Sequence, residues 1–233
     1  MAVIIGNARI SEYGTVYGKP GDQTGKEVMT QPFSTGGSWE KVYRPKNASV
    51  ARKIATAMSQ ACKNNNIGYS QAGGQNGRLS LDREAKKHDY NLSKVGKCNC
   101  DCSSLDAVCI NAGGVKIDPA MYSGSAPTLI SNTGKFTCIT DAKLCKKGKG
   151  LRAGDILWRK GHMGVVVEGD IPLTTPNSGK KRTVVQIAKE IVAGKCSDPR
   201  WKSWGVGATR KARLKKAGYD YKAVQKEVNK LMR

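Results

Sequence analysis

The stretch CNCDCSSLDAVCINAGG, residues 98–114, decides how this chain is read. Polar residues give way to an amphipathic run that closes at Gly113–Gly114. This pattern predicts a helix from Ser103 to about Ala112 with a glycine stop. Cys102 then stands at the helix N-terminus, where the dipole and the free N–H groups favour a thiolate. A neighbouring imidazole would lower the thiol further and complete an activated nucleophile. The chain has only two histidines. His162 heads the apolar strand GHMGVVVEG just past a turn, whereas His88 ends a short polar helix in KKHDY. Taken singly, a cysteine at a helix start is usually structural and a histidine opening a strand is more often a turn residue. As a pair, far apart in sequence and brought together by the fold, Cys102 and His162 are the candidate nucleophile and base. Cys62, Cys109, Cys138, Cys145 and Cys196 read as ordinary core or surface thiols. The C-x-C-x-C run at Cys98, Cys100 and Cys102 lacks the C-x₂₋₄-C pairs of structural zinc, so no metal site and no cofactor are expected.

Outward from this stretch the pattern is mixed α and β. Short β-prone pieces fall around Val3–Ile5 and Lys41–Arg44. Asn47 caps a helix that carries Val50, Ile54, Ala57, Met58 and Ala61 on one face. A second helix starts at Ser80. Asp155–Arg159 and His162–Glu168 flank the tight turn Lys160–Gly161 as a hairpin. The fold class expected is α+β.

With 40 Lys+Arg against 18 Asp+Glu, the 233 residues carry a formal charge of +22. That charge calls for a polyanionic partner, whether nucleic acid, an anionic membrane or a bacterial wall rich in acidic polymers. The longest apolar runs fall far short of the roughly 18–20 residues that span a bilayer. The N-terminus lacks a basic start followed by a longer apolar stretch, so no secretory signal is expected and the chain is read as cytosolic until released.

The Pro-, Ser- and Gly-bearing segment 170–182 reads as a linker between a body, residues 1–169, and a tail, residues 183–233. Residues 181–233 hold 15 Lys/Arg and 4 Asp/Glu, so half of the net charge sits on under a quarter of the chain. Three amphipathic helices fit the tail: one over Val184–Ile191 ending at Gly194, one over Arg210–Ala217 and one over Tyr221–Leu231. Together they predict a small three-helix bundle.

These motifs carry a resemblance. DCSS (Asp101–Ser104), AGDILW (Ala153–Trp158) and GHMGVVV (Gly161–Val167) resemble the NlpC-type branch of papain-like cell-wall peptidases and the related CHAP amidases. The resemblance implies a papain-like fold, with helices packed on a small antiparallel sheet, Cys102 as nucleophile and His162 as its base. IGYSQAGG (Ile67–Gly74) is similar to the family's tyrosine-bearing segment. It implies that Tyr69, with Gln71 as a second candidate, helps the Cys102 N–H hold an oxyanion. A third polar residue normally orients the imidazole. Glu168 shares a face with His162 but lies roughly 20 Å along the strand. Asp170, Asn177, a backbone carbonyl or the N-terminal segment remain open for that task.

The tail, VVQIAKEIVAGK (Val184–Lys195) with WGVGATRKARLKKAGYDYKAVQKEVNKL (Trp204–Leu231), is similar to the CW-seven cell-wall-binding repeat, a three-helix bundle that binds muropeptide. It departs by the insertion Cys196–Ser203. Trp204 and Arg210 are the foremost expected contacts, an exposed ring for a sugar face and a guanidinium for a carboxylate. Tyr219 and Asp220 join them.

The two resemblances together imply a bacteriophage endolysin. Such an enzyme would gather in the host cytoplasm, reach the wall after a holin opens the membrane, and lyse a Gram-positive cell by cutting an amide of the peptide stem. The bond would be that of an N-acetylmuramoyl-L-alanine amidase or of a D-gamma-glutamyl endopeptidase. The partners implied are peptidoglycan and anionic wall polymers, without stable membrane insertion. A basic nucleic-acid-binding protein is the alternative, but no basic patch interleaved with exposed aromatics supports it. A non-catalytic wall-binding protein is the other, and intact Cys102 and His162 speak against it.

Overall fold

The computed structural model describes residues 2–10, 13–34, 39–171, 182–196, 198 and 200–232. The chain forms two compact units, Met1–Thr175 and Pro176–Arg233. Most of the expected linker, Asn177 included, lies outside the described residues. No helix among the described residues is long and apolar enough to cross a membrane.

In the first unit the strands β1 (Ile4–Ala8), β2 (Val28–Pro32) and β3 (Lys41–Pro45) precede α1 (Ala48–Ala61), β4 (Ile67–Tyr69), α2 (Ser80–Lys87) and β5 (Cys98–Cys100). There follow α3 (Cys102–Ala112), α4 (Ala126–Asn132), β6 (Phe136–Ile139), α5 (Ala142–Cys145), β7 (Ile156–Arg159) and β8 (His162–Glu168). Six strands make one sheet in the order β2-β1-β8-β7-β3-β6, every pair antiparallel. β4 and β5 form a separate parallel pair. The fold is therefore α+β, as the alternation of patterns implied.

The turn Lys160–Gly161 joins β7 to β8 with Arg159 opposite His162. Asn47 caps α1, its side chain accepting from the Ser49 and Val50 N–H groups. The helix buries Ile54, Ala57, Met58 and Ala61 against the sheet, each large side chain contributing on the order of 1.5–3 kcal/mol. α3 differs from the amphipathic helix expected. Every residue from Cys102 to Ile110 is buried, because α1, α2, β1 and β8 all pack on it. Its glycine stop is as expected, with Gly113 as C-cap and Gly114 at φ +81°.

The second unit holds α6 (Val184–Val192), α7 (Gly207–Lys216) and α8 (Tyr221–Leu231). Thr183 and Gln186 form a reciprocal capping box on α6, and Asp220 caps α8 through the Ala223 N–H. Ile187, Ala188, Trp204, Leu214, Val224 and Val228 make its core. α7 begins at Gly207, three residues before the expected start.

Candidate active site

Cys102 is the first residue of α3. Asp101 precedes it as N-cap. Its carboxylate accepts the Ser104 N–H at 2.7 Å, and Ser104 Oγ accepts the Asp101 N–H at 2.9 Å. The Arg78 guanidinium grips the same carboxylate at 2.6 and 3.3 Å and donates to the carbonyls of Ala120 and Met121. The helix start is thus held from two sides, which fixes where the sulfur points.

The register between β1 and β8 ends at the Gly6–Val165 pair. Beyond it, the Met163 N–H is near enough to Cys102 Sγ to favour its thiolate. The sulfur therefore lies against the residue that follows His162. Cys102 is 8% exposed, and burial pushes the thiol up to about 12. Asp101 and Asp106 add to the rise, while the N–H groups of Met163 and Ser103 oppose it. The lowered thiol expected from the helix N-terminus is overturned: desolvation and two nearby carboxyl groups outweigh the N–H groups that favour a thiolate.

His162 moves the other way. Burial lowers it to about 4, helped by the positive charges of Arg159 and Arg9. Its imidazole stacks on Trp39, ring centroids 5.6 Å apart and planes 23° apart. At neutral pH the resting pair is accordingly a neutral thiol and a neutral imidazole.

Tyr69 closes the third side. Its side chain is buried at the end of β4, and its hydroxyl accepts from Gln71 Nε2 at 2.7 Å. Burial raises the phenol to about 12; the Gln71 hydrogen bond opposes this, and the charges of Cys102 and Asp101 add to it. Tyr69 is thereby within electrostatic reach of Cys102. Its main-chain N–H donates to the buried Glu27 carboxylate at 3.2 Å.

Of the groups considered for orienting His162, Glu168 sits at the far end of β8 opposite Ile4, and Asp170 accepts the Gly150 N–H. The N-terminal segment supplies what those two do not. Asn7 on β1 is 1% exposed, and neither its Oδ1 nor its Nδ2 has a hydrogen-bond partner. A Cβ on Gly164 would stand 3.3 Å from Asn7 Cβ and 3.8 Å from Trp39. Gly164 shares a face of β8 with His162 by the two-residue period of a strand. Asn7, Trp39 and the imidazole are therefore on one face. Asp106, one turn after Cys102, is likewise buried with neither oxygen partnered, and burial holds its carboxyl well above the usual range.

In the second unit, Trp204 is 2% exposed, which corrects the expectation of an open sugar platform. Its indole N–H donates to Glu190 at 3.1 Å, and Tyr219 meets it edge to face. It is buried because so small a bundle needs its largest ring at the centre. Asp220 spends its carboxylate on the α8 cap. Arg210 donates to the Gly205 carbonyl at 2.9 Å and to Gln225 at 3.0 Å. Arg210 and the edge of Trp204 line a shallow groove with Ile191, Lys195, Ser203 and Val206. Trp201, within the inserted stretch, packs its ring on Trp204 and lies under Arg200 and Arg213.

Comparison with curated proteins and with solved structures finds no match. Family models do match. A CW_7 repeat spans residues 186–232, and an endolysin-like domain spans residues 5–171, well over half of the chain. The layout is an endolysin-like domain followed by a cell-wall repeat, and the chain belongs to the endolysin-like domain family.

Proposed function

We propose that the protein is a phage endolysin whose first unit is a papain-like cysteine amidohydrolase acting on the peptide stem of peptidoglycan. The observation that carries this reading is the seat of Cys102 Sγ. It lies at the capped start of α3, on the N–H of the residue next to His162 and beside Tyr69. The CW_7 repeat supports a wall polymer as the substrate.

The pKa directions define the order of steps. His162, neutral above about pH 4, takes the thiol proton as sulfur attacks the amide carbon, so the thiolate forms only with substrate in place. The oxyanion receives hydrogen bonds from the Tyr69 hydroxyl and from the Cys102 N–H, one of the donors a helix start leaves unpaired. Collapse breaks the C–N bond, and His162 returns the proton to the leaving amine. Water then attacks the thioester, releasing the carboxylate fragment and the thiol. Asn7 is the buried amide best placed to accept the second imidazole N–H and orient the ring. The bond cut is that of an N-acetylmuramoyl-L-alanine amidase or of a D-gamma-glutamyl endopeptidase.

The +22 charge brings the chain to anionic wall polymers, an attraction that weakens with salt. Access from the host cytoplasm to the wall through a holin belongs to the same reading.

The test is clearing of Gram-positive cell walls by the wild type and by Cys102→Ala, followed as turbidity. Clearing by the wild type alone is expected; equal clearing by both sinks the assignment. Mass spectrometry of the released fragments then identifies the amide that was cut.

A further inference from the structure

We propose that Tyr17 and Tyr122 form a sugar-stacking subsite of the catalytic unit, gripping the glycan strand beside the scissile amide. This inference rests on the wall-hydrolase reading and names the part of the substrate that the first unit holds. Trp39, Tyr43, Tyr69, Phe136 and Trp158 of this unit are buried, whereas Tyr13, Tyr17 and Tyr122 are exposed. Tyr17 and Tyr122 are 71% and 60% exposed. An exposed ring on a mobile loop would be unremarkable. The backbone at Tyr17 and Tyr122 is tied down, in both cases to the neighbours of Cys102.

Tyr17 sits in a bridge with Ser70, the residue after Tyr69. On one side of it the Val16 carbonyl accepts the Gln71 N–H at 2.9 Å, and on the other the Gly18 N–H donates to the Tyr69 carbonyl at 3.2 Å. A Cβ on Gly18 would stand 2.5 Å from that carbonyl, so the approach requires glycine. Tyr17 is thus clamped to the segment that carries the proposed oxyanion donor.

Tyr122 is held just as firmly. The preceding carbonyl, of Met121, accepts from Arg78, which grips Asp101. The following carbonyl, of Ser123, accepts the Trp158 indole N–H at 2.7 Å, and Trp158 pairs with Met163, whose N–H reaches Cys102 Sγ. The ring rests against Gly124, where a Cβ would fall 2.5 Å from its edge. Two exposed phenol rings on a tied-down backbone, polar at the tip and apolar on the face, suit a polymer whose pyranose rings show a C–H face and a hydroxyl rim. Peptide stems alone offer no such face. The repeating sugar of the wall polymer is the occupant that matches.

The test uses the full chain carrying Cys102→Ala and a β-1,4-linked N-acetylglucosamine tetramer as probe. Adding Tyr17→Ala or Tyr122→Ala is expected to raise the tetramer Kd roughly tenfold each. With Cys102 intact, the same variants should raise KM on whole walls with kcat kept. A parent that binds no tetramer, or tyrosine variants that bind it as tightly as the parent, overturns the proposal. So does an unchanged KM on whole walls. A chain that binds the tetramer through these tyrosines but clears no walls would instead overturn the hydrolase reading and leave the sugar site standing.

Discussion

The indole of Trp39 lies over the imidazole of His162, with ring centroids 5.6 Å apart and planes 23° apart. This contact has a chemical consequence. Burial is the largest cause holding His162 near 4, and Trp39 supplies part of that burial. In the proposed mechanism His162 is a general base, which works only when neutral, so the low value would keep it competent down to about pH 4. Trp39→Ala admits water, moves the imidazole toward its ordinary 6.5 and removes base between pH 4 and 6. The acid limb of kcat/KM should shift upward by one to two pH units, on the order of the shift burial imposes. NMR titration of His162, with His88 as internal control, checks this directly; an unmoved His162 curve would assign the low value to Arg9 and Arg159 alone.

Asn7 calls for a variant in which activity and stability part ways. Two buried polar atoms without partners carry a desolvation penalty of about 1–3 kcal/mol each in the folded state. Asn7→Ala removes that penalty, so it should leave stability unchanged or raise it. If the amide orients His162, kcat should nevertheless fall by about 10–100-fold, the usual loss for a group that positions another. Asn7→Gln, which keeps the amide but lengthens the reach, should recover only part of the rate. Thermal unfolding and steady-state rates on the same preparations check both halves. A more stable variant with full kcat would remove Asn7 from the mechanism.

The reach of sequence reasoning follows from how local each signal is. The places of Cys102 at a helix start and of His162 at a strand head are legible because each is framed by its own neighbours, DCSS before a helix and GH at the head of an apolar strand. Asn7 is not, because nothing in IIGNA announces that β1 pairs with β8, more than 150 residues later in the chain. β4 and β5 escaped notice as three-residue strands in a parallel pair, too short for any alternation to show. Trp204 misled for a different reason. A tryptophan beside glycines in a short basic module reads as exposed, yet here its ring is buried in a six-residue core, with Trp201 and Tyr219 packed against it.

Asp106 predicts an unusual stability profile. Its folded-state carboxyl is held well above 3.8 by burial first and by Asp101 second, and neither oxygen has a partner. The folded chain therefore binds a proton that the unfolded chain releases as pH rises past about 4. Stability from this group is fully present below that pH and is lost as pH climbs toward the folded value, with a slope approaching about 1.4 kcal/mol per pH unit. Asp106→Asn keeps the shape and carries no such proton. Its urea midpoint should depend less on pH and exceed that of the wild type at neutral pH. Parallel pH dependence in the two proteins would show that Asp106 is not the group responsible.

The repeat separates packing from recognition through two neighbouring side chains. Trp204 is the centre of a six-residue core, so Trp204→Ala should cost about 3–5 kcal/mol and unfold the bundle. Arg210 lies at the groove edge and spends its guanidinium on the Gly205 carbonyl and Gln225. Arg210→Ala should cost only about 1 kcal/mol, since both of its partners stay open to water. Sedimentation of the full-length variants with purified walls, read beside limited proteolysis, distinguishes the two effects. Trp204→Ala should lose wall binding together with protease resistance of the second unit. Arg210→Ala should lose wall binding while the unit stays resistant; retention of full binding would mean that the groove beside Trp204 is not where the wall is held.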